Sequence, residues 1–591
     1  MRRRLALPML MLGLALGGPG VAAPATAPGL EWQAWSEQAF ARARAERRLV
    51  LLYLEAVWCH WCHVMDASTW RDPELVRYLR RHYLTLRVDH DARPDLANRY
   101  RAWGWPATII YDAEGRELVK RAGYIPASDF LALARAVVAD PRPESAPPVR
   151  SAPGSEQLPG PLRRRLVERY DLAYDSDKGG LKLAQKFLDR DSVEYAMRRA
   201  AVGDEVAARR ARQTLDAALA LLDPAWGGFY QYSTGGDWRQ PHYEKIMRVQ
   251  TGYLRIYALA WLQWRDIRYL EAARRTRDYL RDFLTSPEGA FYTSQDADLV
   301  PGRKSDAYFA LGDAERRRQG LPRVDTARYA QENGWAIEAL ATLYRADRNP
   351  ADLAAALRAA RWVIAHRSLP QGGFRHGDRD SGGPFLGDSL AMGSAFLALY
   401  HVTAEREWLT RAAQAGRFIA AHFRHAAGGF NGSAVAGGPL APAPALEENI
   451  RATRFFNLLA HYTGAADFFE QARHGMRHLS RPDVVEAAFE ESGILLADDE
   501  LGREPLQVTV VGDKQDAEAQ ALFAAALALP GSYQRVEWWD RAEGPLPNAD
   551  VAYPKLPRAA AFLCSERRCS APMFQAERLA ERVLHTVPEP D

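Results

Sequence analysis

Cysteine is scarce in this chain: four residues in 591, at positions 59, 62, 564 and 569, with none between. So few exclude a fold built on a disulfide framework. A surplus of charge is missing too. Seventy-seven Lys and Arg stand against 74 Asp and Glu, a formal net charge of +3, and no basic excess points to nucleic acid. No apolar run reaches the ~20 residues that span a bilayer. A hydrophobic fraction of 47% and a charged fraction of 26% exclude disorder and fibrous repeats. At roughly 150 residues per domain, the chain is too long for one core.

What is present begins at the N-terminus. Met1-Arg2-Arg3-Arg4 leads into an apolar stretch from Leu5 to Gly17 and then into small residues, Val21-Ala22-Ala23 and Ala25-Thr26-Ala27. This is the pattern of a secretory signal. Residues 1–27 are therefore expected to direct export, to a periplasm or beyond it, where disulfides form. A retained anchor is the alternative. No stable membrane insertion is expected of the rest.

Residues 30–140 alternate strand and helix. Leu49–Leu54 and Leu84–Val88 read as buried strands, and Ala107–Tyr111 and Leu118–Lys120 flank a turn at Asp112-Ala113-Glu114-Gly115. A helix from about Ser128 to Val138 completes a small α/β domain. Residues 141–161 carry seven prolines and are expected to form an extended linker.

From 162 to 500 the texture is helical, with amphipathic stretches such as Ala207–Leu222, Val249–Trp264, Ile267–Leu284, Ala336–Tyr344 and Leu390–Tyr400. A second marker recurs between helices: Gly179-Gly180-Leu181, Gly227-Gly228-Phe229, Gly289-Ala290-Phe291, Gly372-Gly373-Phe374 and Gly428-Gly429-Phe430. Its spacing of about 50 to 80 residues suits helix pairs closed into a ring. Simple glycine capping of helices is the alternative. Residues 501–591 return to α/β texture, with strands at Leu506–Gly512 and Ala559–Leu563 and helices at Glu518–Leu529 and Ala576–Leu584.

The strongest local motif follows the first buried strand: Trp58-Cys59-His60-Trp61-Cys62-His63. Two cysteines two residues apart can close a disulfide ring. At a helix start the first sulfur meets backbone N–H groups and the positive end of the dipole, which favours the thiolate that attacks disulfides. Cys59 is the candidate nucleophile and Cys62 the resolving thiol. His60 is placed to stabilise the thiolate, Trp58 and Trp61 to cover one side of the site, and His63 to support it. Gly104-Trp105-Pro106 precedes the next strand, where a fixed proline shapes the substrate groove of such domains.

Two other readings stand beside redox chemistry. Cys59, His60, Cys62 and His63 are four metal-type ligands in five residues, although one short peptide rarely completes a tetrahedral site. A purely structural disulfide is the third. No metal and no cofactor are expected. Cys564 and Cys569 either form a local structural disulfide or remain free.

A polar cluster lies in the helical region. Tyr230, Trp238, His242, Glu244 and Lys245 fall on one loop segment, and Asp296 and Asp298 on another. Aromatic planes beside carboxylates make a surface for sugars, and paired carboxylates serve glycoside chemistry as acid and base. The alternative is structural pairing and helix capping.

Together these motifs identify a resemblance. Trp58 to Met65, Val88-Asp89-His90-Asp91-Ala92-Arg93-Pro94-Asp95 and Gly104-Trp105-Pro106 resemble the spermatogenesis-associated thioredoxin-like proteins and their bacterial relatives. Pro241 to Lys245 and Tyr292 to Asp298 are similar to that family's helical-domain motifs, and Cys564 and Cys569 to its C-terminal pair. The resemblance implies a thioredoxin-like domain followed by an (α/α)6 toroid of six-hairpin glycosidase type, with a small C-terminal α/β subdomain. Lys186-Phe187-Leu188, Asp325-Thr326-Ala327, Glu332-Asn333-Gly334 and Glu447-Glu448-Asn449 depart from the family pattern. The expected function is thiol–disulfide exchange on a protein disulfide or small thiol, joined to a ring with a carbohydrate as candidate ligand. A carbohydrate-active enzyme (hydrolase or isomerase/epimerase) and a non-catalytic carbohydrate-binding protein are the alternatives.

Overall fold

The computed structural model describes residues 29–144, 152–380, 382–436, 438–488, 491–565 and 568–579. The export signal read over 1–27 lies outside these residues, as do 145–151 of the proline-rich stretch and the end of the last helix read in the sequence. Among the described residues, no helix is long and apolar enough to cross a membrane.

Apolar strands first build a four-stranded sheet: β1 (Leu49–Glu55), β2 (Tyr83–Asp89), β3 (Ala107–Tyr111) and β4 (Glu117–Ala122). The order is β2-β1-β3-β4, with β1 and β2 parallel and the other pairs antiparallel. Helices cover both faces, because each strand is apolar on both sides and must be buried twice. This is the thioredoxin-like unit.

The helical region closes into a ring. Its inner helices, Arg190–Ala201, Met247–Trp264, Ala330–Asp347, Leu386–Thr403, Leu446–Thr463 and Glu491–Gly502, pack each against the next and the last against the first. Each has an antiparallel outer partner: Glu205–Ala218, Ile267–Phe283, Pro350–Arg367, Arg406–His422, Ala466–Leu479 and, for the last, Gly160–Ala173 from the beginning of the ring. The two ends of the segment thus form the sixth hairpin together. The architecture is an (α/α)6 toroid.

The recurring glycine–aromatic marker is part of how the ring is built. In all five copies the third residue forms a bridge with the segment leaving the preceding outer helix: Leu181 with Tyr174, Phe229 with Leu222, Phe291 with Thr285, Phe374 with Ser368 and Phe430 with Arg424. In three of them an amide side chain from the first turn of the next inner helix clamps the aromatic residue's backbone at both ends. Gln250 accepts from Phe229 N at 2.7 Å and donates to its carbonyl at 2.6 Å. Asn333 does the same for Phe291 at 2.7 and 3.1 Å, and Asn449 for Phe430 at 2.7 and 2.9 Å. The glycines serve close approach. Gly227 has φ +72°, and a Cβ there would meet Arg275 O at 2.3 Å, so no other residue fits.

The C-terminal unit repeats the topology of the first. Leu506–Val511 pairs in parallel with Gln534–Trp539 and antiparallel with Ala560–Ser565, which pairs antiparallel with Arg568–Cys569. Strand order and directions match those of β1 to β4. Asp516, which caps the helix Ala517–Leu527 after the first strand, stands where Cys59 caps the helix His60–Ala67 in the first unit, and Cys564 and Cys569 form a disulfide across the edge hairpin.

The amide clamps yield a first prediction. Asn333→Ala strands a buried N–H and a buried carbonyl, each costing about 1–3 kcal/mol. Urea unfolding of the ring, followed by far-UV circular dichroism, should show a loss of about 2–6 kcal/mol on the same estimate. An unchanged midpoint would remove the clamp as a stabilising element.

Candidate functional site

The inner helices all start at one rim of the ring, and the thioredoxin-like unit is docked there with its Cys-x-x-Cys face inward. Cys59 is the N-cap of the helix His60–Ala67, its sulfur accepts from Cys62 N at 3.1 Å, and the two cysteines form a disulfide. Cys59 is 3% exposed and Cys62 is fully buried. The Trp105–Pro106 bond is cis. Trp58, His90 and Trp105 form an aromatic group beside it, with ring centroids 4.6 to 5.9 Å apart. Trp61, half-buried against Tyr124, lines the outer margin.

His60 is turned away from a purely local role. Its Nδ1 lies 2.7 Å from one oxygen of Asp298, while His63 Nδ1 lies 3.0 Å from the other. His63 Nε2 faces Val57 O at 3.2 Å and Asp296 at 3.6 Å. Burial pulls His63 down, but the hydrogen bond to Asp298 and the charges of Asp296 and Asp298 outweigh it and hold its pKa above the usual value. Burial acts the other way on Asp298, and the bonds from His60 and His63 more than offset it, so its pKa is lowered. Asp296 is pushed up to about 6 by burial, and Glu244 to about 7 by burial with Asp296 and Asp298 adding repulsion.

Of the loop residues singled out in the sequence, His242, Glu244, Asp296 and Asp298 gather beside His60 and His63. The other three do not join them. Lys245 is buried on Asp223, 2.7 Å away, and under the ring of Tyr279. Tyr230 packs against Tyr243 and Phe309 in the same aromatic cage. Trp238 donates to Lys178 O at 2.9 Å, against Gly180.

Sequence reasoning missed a second set of residues along the rim. Asp91 accepts from Trp58 Nε1 at 2.8 Å, and its carbonyl accepts from His376 Nε2 at 2.6 Å. His376 Nδ1 bonds Asp388 at 2.8 Å. Oxygens on both ring nitrogens call for an imidazolium. Burial disfavours it, yet Asp388 and Glu332 overcome this and raise its pKa to about 10. Burial raises Asp89 and Glu332 each to about 7, and Asp91 well above the carboxylate range, with repulsion from neighbouring carboxylates, Asp325 in all three cases, adding to it. Burial and the nearby cations Arg248 and Arg101 push His90 down to about 3. Glu447 gathers Arg101 of the thioredoxin-like unit with Arg190 and Arg248 of the ring. The available signal was positional: Glu332, Asp388 and Glu447 lie in first turns of inner helices, where the helix dipole favours carboxylates.

Residues 23–137 match the thioredoxin-DsbH family model, described as a protein of unknown function, DUF255. Human spermatogenesis-associated protein 20 is 27% identical over 322 residues, 47% of this chain and 41% of the relative. The mouse protein of the same name is 26% identical over 312 residues. Over just under half of its length the chain is similar to these spermatogenesis-associated proteins. It spans about two-fifths of the length of these relatives. The disulfide bond reductase DsbH of Chlamydia pneumoniae is 24% identical over 114 residues, 17% of this chain and 68% of that protein. Among solved structures, cellobiose 2-epimerase from Spirochaeta thermophila DSM 6192 aligns at a TM-score of 0.44 with 14% identity, covering 58% of this chain and 99% of that one.

The rim carboxylates set a pH dependence. Asp89 and Glu332 have folded pKa values near 7, above the ~4 of an unfolded chain. Folded protein then holds protons that unfolded protein gives up. Their stabilisation is complete below about pH 4 and is lost as pH rises through 7. Glu332→Gln, which stays neutral, should therefore gain stability relative to wild type as pH rises from 4 to 8 in thermal melts. A constant difference across that range would refute the assignment.

Proposed function

We propose that this chain is an exported thiol–disulfide oxidoreductase acting on small thiols and disulfides, coupled to a ring that binds a carbohydrate-type ligand. The observation that carries the reading is the placement of Cys59. It caps a helix N-terminus, which favours thiolate, yet it is buried against an acidic rim, which suits a small substrate better than a folded protein. The reductase name of the Chlamydia relative supports chemistry in the reducing direction. The basic, apolar and small-residue pattern of the N-terminus supports export.

In this reading the Cys59 thiolate attacks one sulfur of the substrate disulfide and releases the first substrate thiolate. The Cys62 thiolate then attacks Cys59 Sγ in the mixed disulfide and releases the second. Two electrons pass to the substrate, and the enzyme is left with its Cys59–Cys62 disulfide. An external dithiol returns it to the reduced form. Trp58 and Pro106 shape the groove, and His60 and His63 hold the loop to the ring through Asp298.

A second reading, a carbohydrate-active enzyme, is favoured by the rim itself. Glu332 near pH 7 is suited to proton transfer, and His242, Glu244, Asp296 and Asp298 are suited to hydroxyl recognition. A non-catalytic carbohydrate-binding ring is the reduced form of that reading.

Cys59→Ser should lower reduction of a small-molecule disulfide to the uncatalysed level, and Cys62→Ser should accumulate the mixed disulfide, seen by intact mass. Wild type should prefer the small disulfide to a folded protein disulfide. Undiminished activity of Cys59→Ser would sink the redox reading. Turnover of a sugar panel that survives Cys59→Ser but is lost in Glu332→Gln would favour the second one.

A further inference from the structure

We propose a divalent-cation site at the junction of the two domains, formed by His63 of the thioredoxin-like unit and Asp296 and Asp298 of the ring, with the Glu244 carboxylate beside them. Donor atoms of His63, Asp296 and Asp298 all lie within 4.8 Å of one another. Their surroundings already orient them. His63 Nε2 faces the backbone carbonyl of Val57, and histidines that bind metals characteristically give their other N–H to such a carbonyl. Its Nδ1 faces Asp298 Oδ2. Asp298 is held from behind by His60 on one oxygen and by Gly302 N, at 2.7 Å, on the other. Asp296 Oδ1 accepts from Asp298 N at 2.9 Å, which leaves Oδ2 on the His63 side.

An independent observation concerns Glu244, a side chain 3% exposed. Its Oε2 meets no hydrogen-bond donor among the described residues, and His242 Nδ1 stands off at 4.0 Å. The local strand register says where this carboxylate faces. Lys245 pairs with Gln295 and Ile246 with Ser294 in an antiparallel ladder. One step further, Glu244 falls opposite Asp296, where facing residues have Cβ atoms about 4.5–5.5 Å apart on one face. The orphaned carboxylate thus borders the three donors that close to within 4.8 Å and stands next to Asp296.

His60 and His63 answer the charge of Asp298, and the buried Asp296 and Glu244 carboxylates beside it favour a further positive charge. Carboxylate oxygens with a single imidazole suit a first-row divalent ion such as Mn²⁺, which takes oxygen-rich sites with some nitrogen. Thiolates are not part of the set, because Cys59 and Cys62 are joined to each other. Ligands from two domains would make the ion a tie between them. The site contains no cysteine and stands apart from the redox reading.

The test uses full-length oxidised protein, stripped with chelator and titrated with MnCl2 by calorimetry, with thermal melts alongside. One equivalent should bind and raise the melting temperature. Pulsed electron paramagnetic resonance should show one coordinated nitrogen that disappears in His63→Gln. Glu244→Gln and Asp296→Asn should bind at least tenfold more weakly, whereas the Cys59→Ser, Cys62→Ser double variant should bind as wild type does. No saturable binding by wild type would overturn the proposal, whether or not any variant folds. So would wild-type affinity in Glu244→Gln, or loss of binding in the double cysteine variant.

Discussion

The arrangement depends on one constraint: six inner helices begin at a single rim, so their first turns and their positive dipole ends converge. Carboxylates collect there because the helix ends favour them. Carboxylates collected in one place must then be either hydrated or covered by something that answers their charge. The thioredoxin-like unit does the second. Its His60 and His63 meet Asp298, Trp58 donates to Asp91 of its own unit, and Arg101 reaches Glu447. On the ring side, His376 crosses back to the Asp91 carbonyl. Docking and site formation are thus the same event.

Burial then decides the protonation states. Repulsion among Asp89, Asp91 and Glu332 is tolerable because low polarity keeps part of the group protonated, while His376, between Asp388 and the Asp91 carbonyl, stays charged. One surface therefore holds neutral acids and a charged base close to a disulfide. The disulfide thus faces a buried, acidic surface of the ring and not open solvent.

Much of the fold was legible in the sequence. The apolar strands of the first unit, the Cys-x-x-Cys loop at a helix start and the five glycine–aromatic markers all read correctly, because each is a local signal with a local cause. The inner helices read short. Ala336–Tyr344 is the apolar middle of Ala330–Asp347, whose first turn carries Glu332, Asn333 and Gly334. Those residues serve the rim, the amide clamp and close contact with Ala391, and so they break the hydrophobic period that marks a helix. The candidate site was legible only in part. Asp296 and Asp298 stood out by spacing, whereas His376 and Asp388 acquire meaning only when another domain is set against them. Lys245 and Trp238 looked like ligand-binding side chains because composition cannot tell a buried ion pair or a packed indole from a pocket wall.

The C-terminal unit covers the opposite rim. Arg345 bonds carbonyls of Leu527, Leu529 and Gly531, Arg265 bonds that of Ala528, Tyr462 accepts from Val536 N, and Asn548 donates to the carbonyl of His461. Three inner helices thus end against a unit whose strand order copies the one at their start. Between the two lies a cavity of about 180 Å³ whose wall includes Arg255, Arg345, Arg454, Glu194 and Glu500. The ring is a barrel with a stopper at each end, one stopper oxidisable at its inner face and the other a cysteine-free copy at that position. Six inner helices run the length of the barrel between the two stoppers.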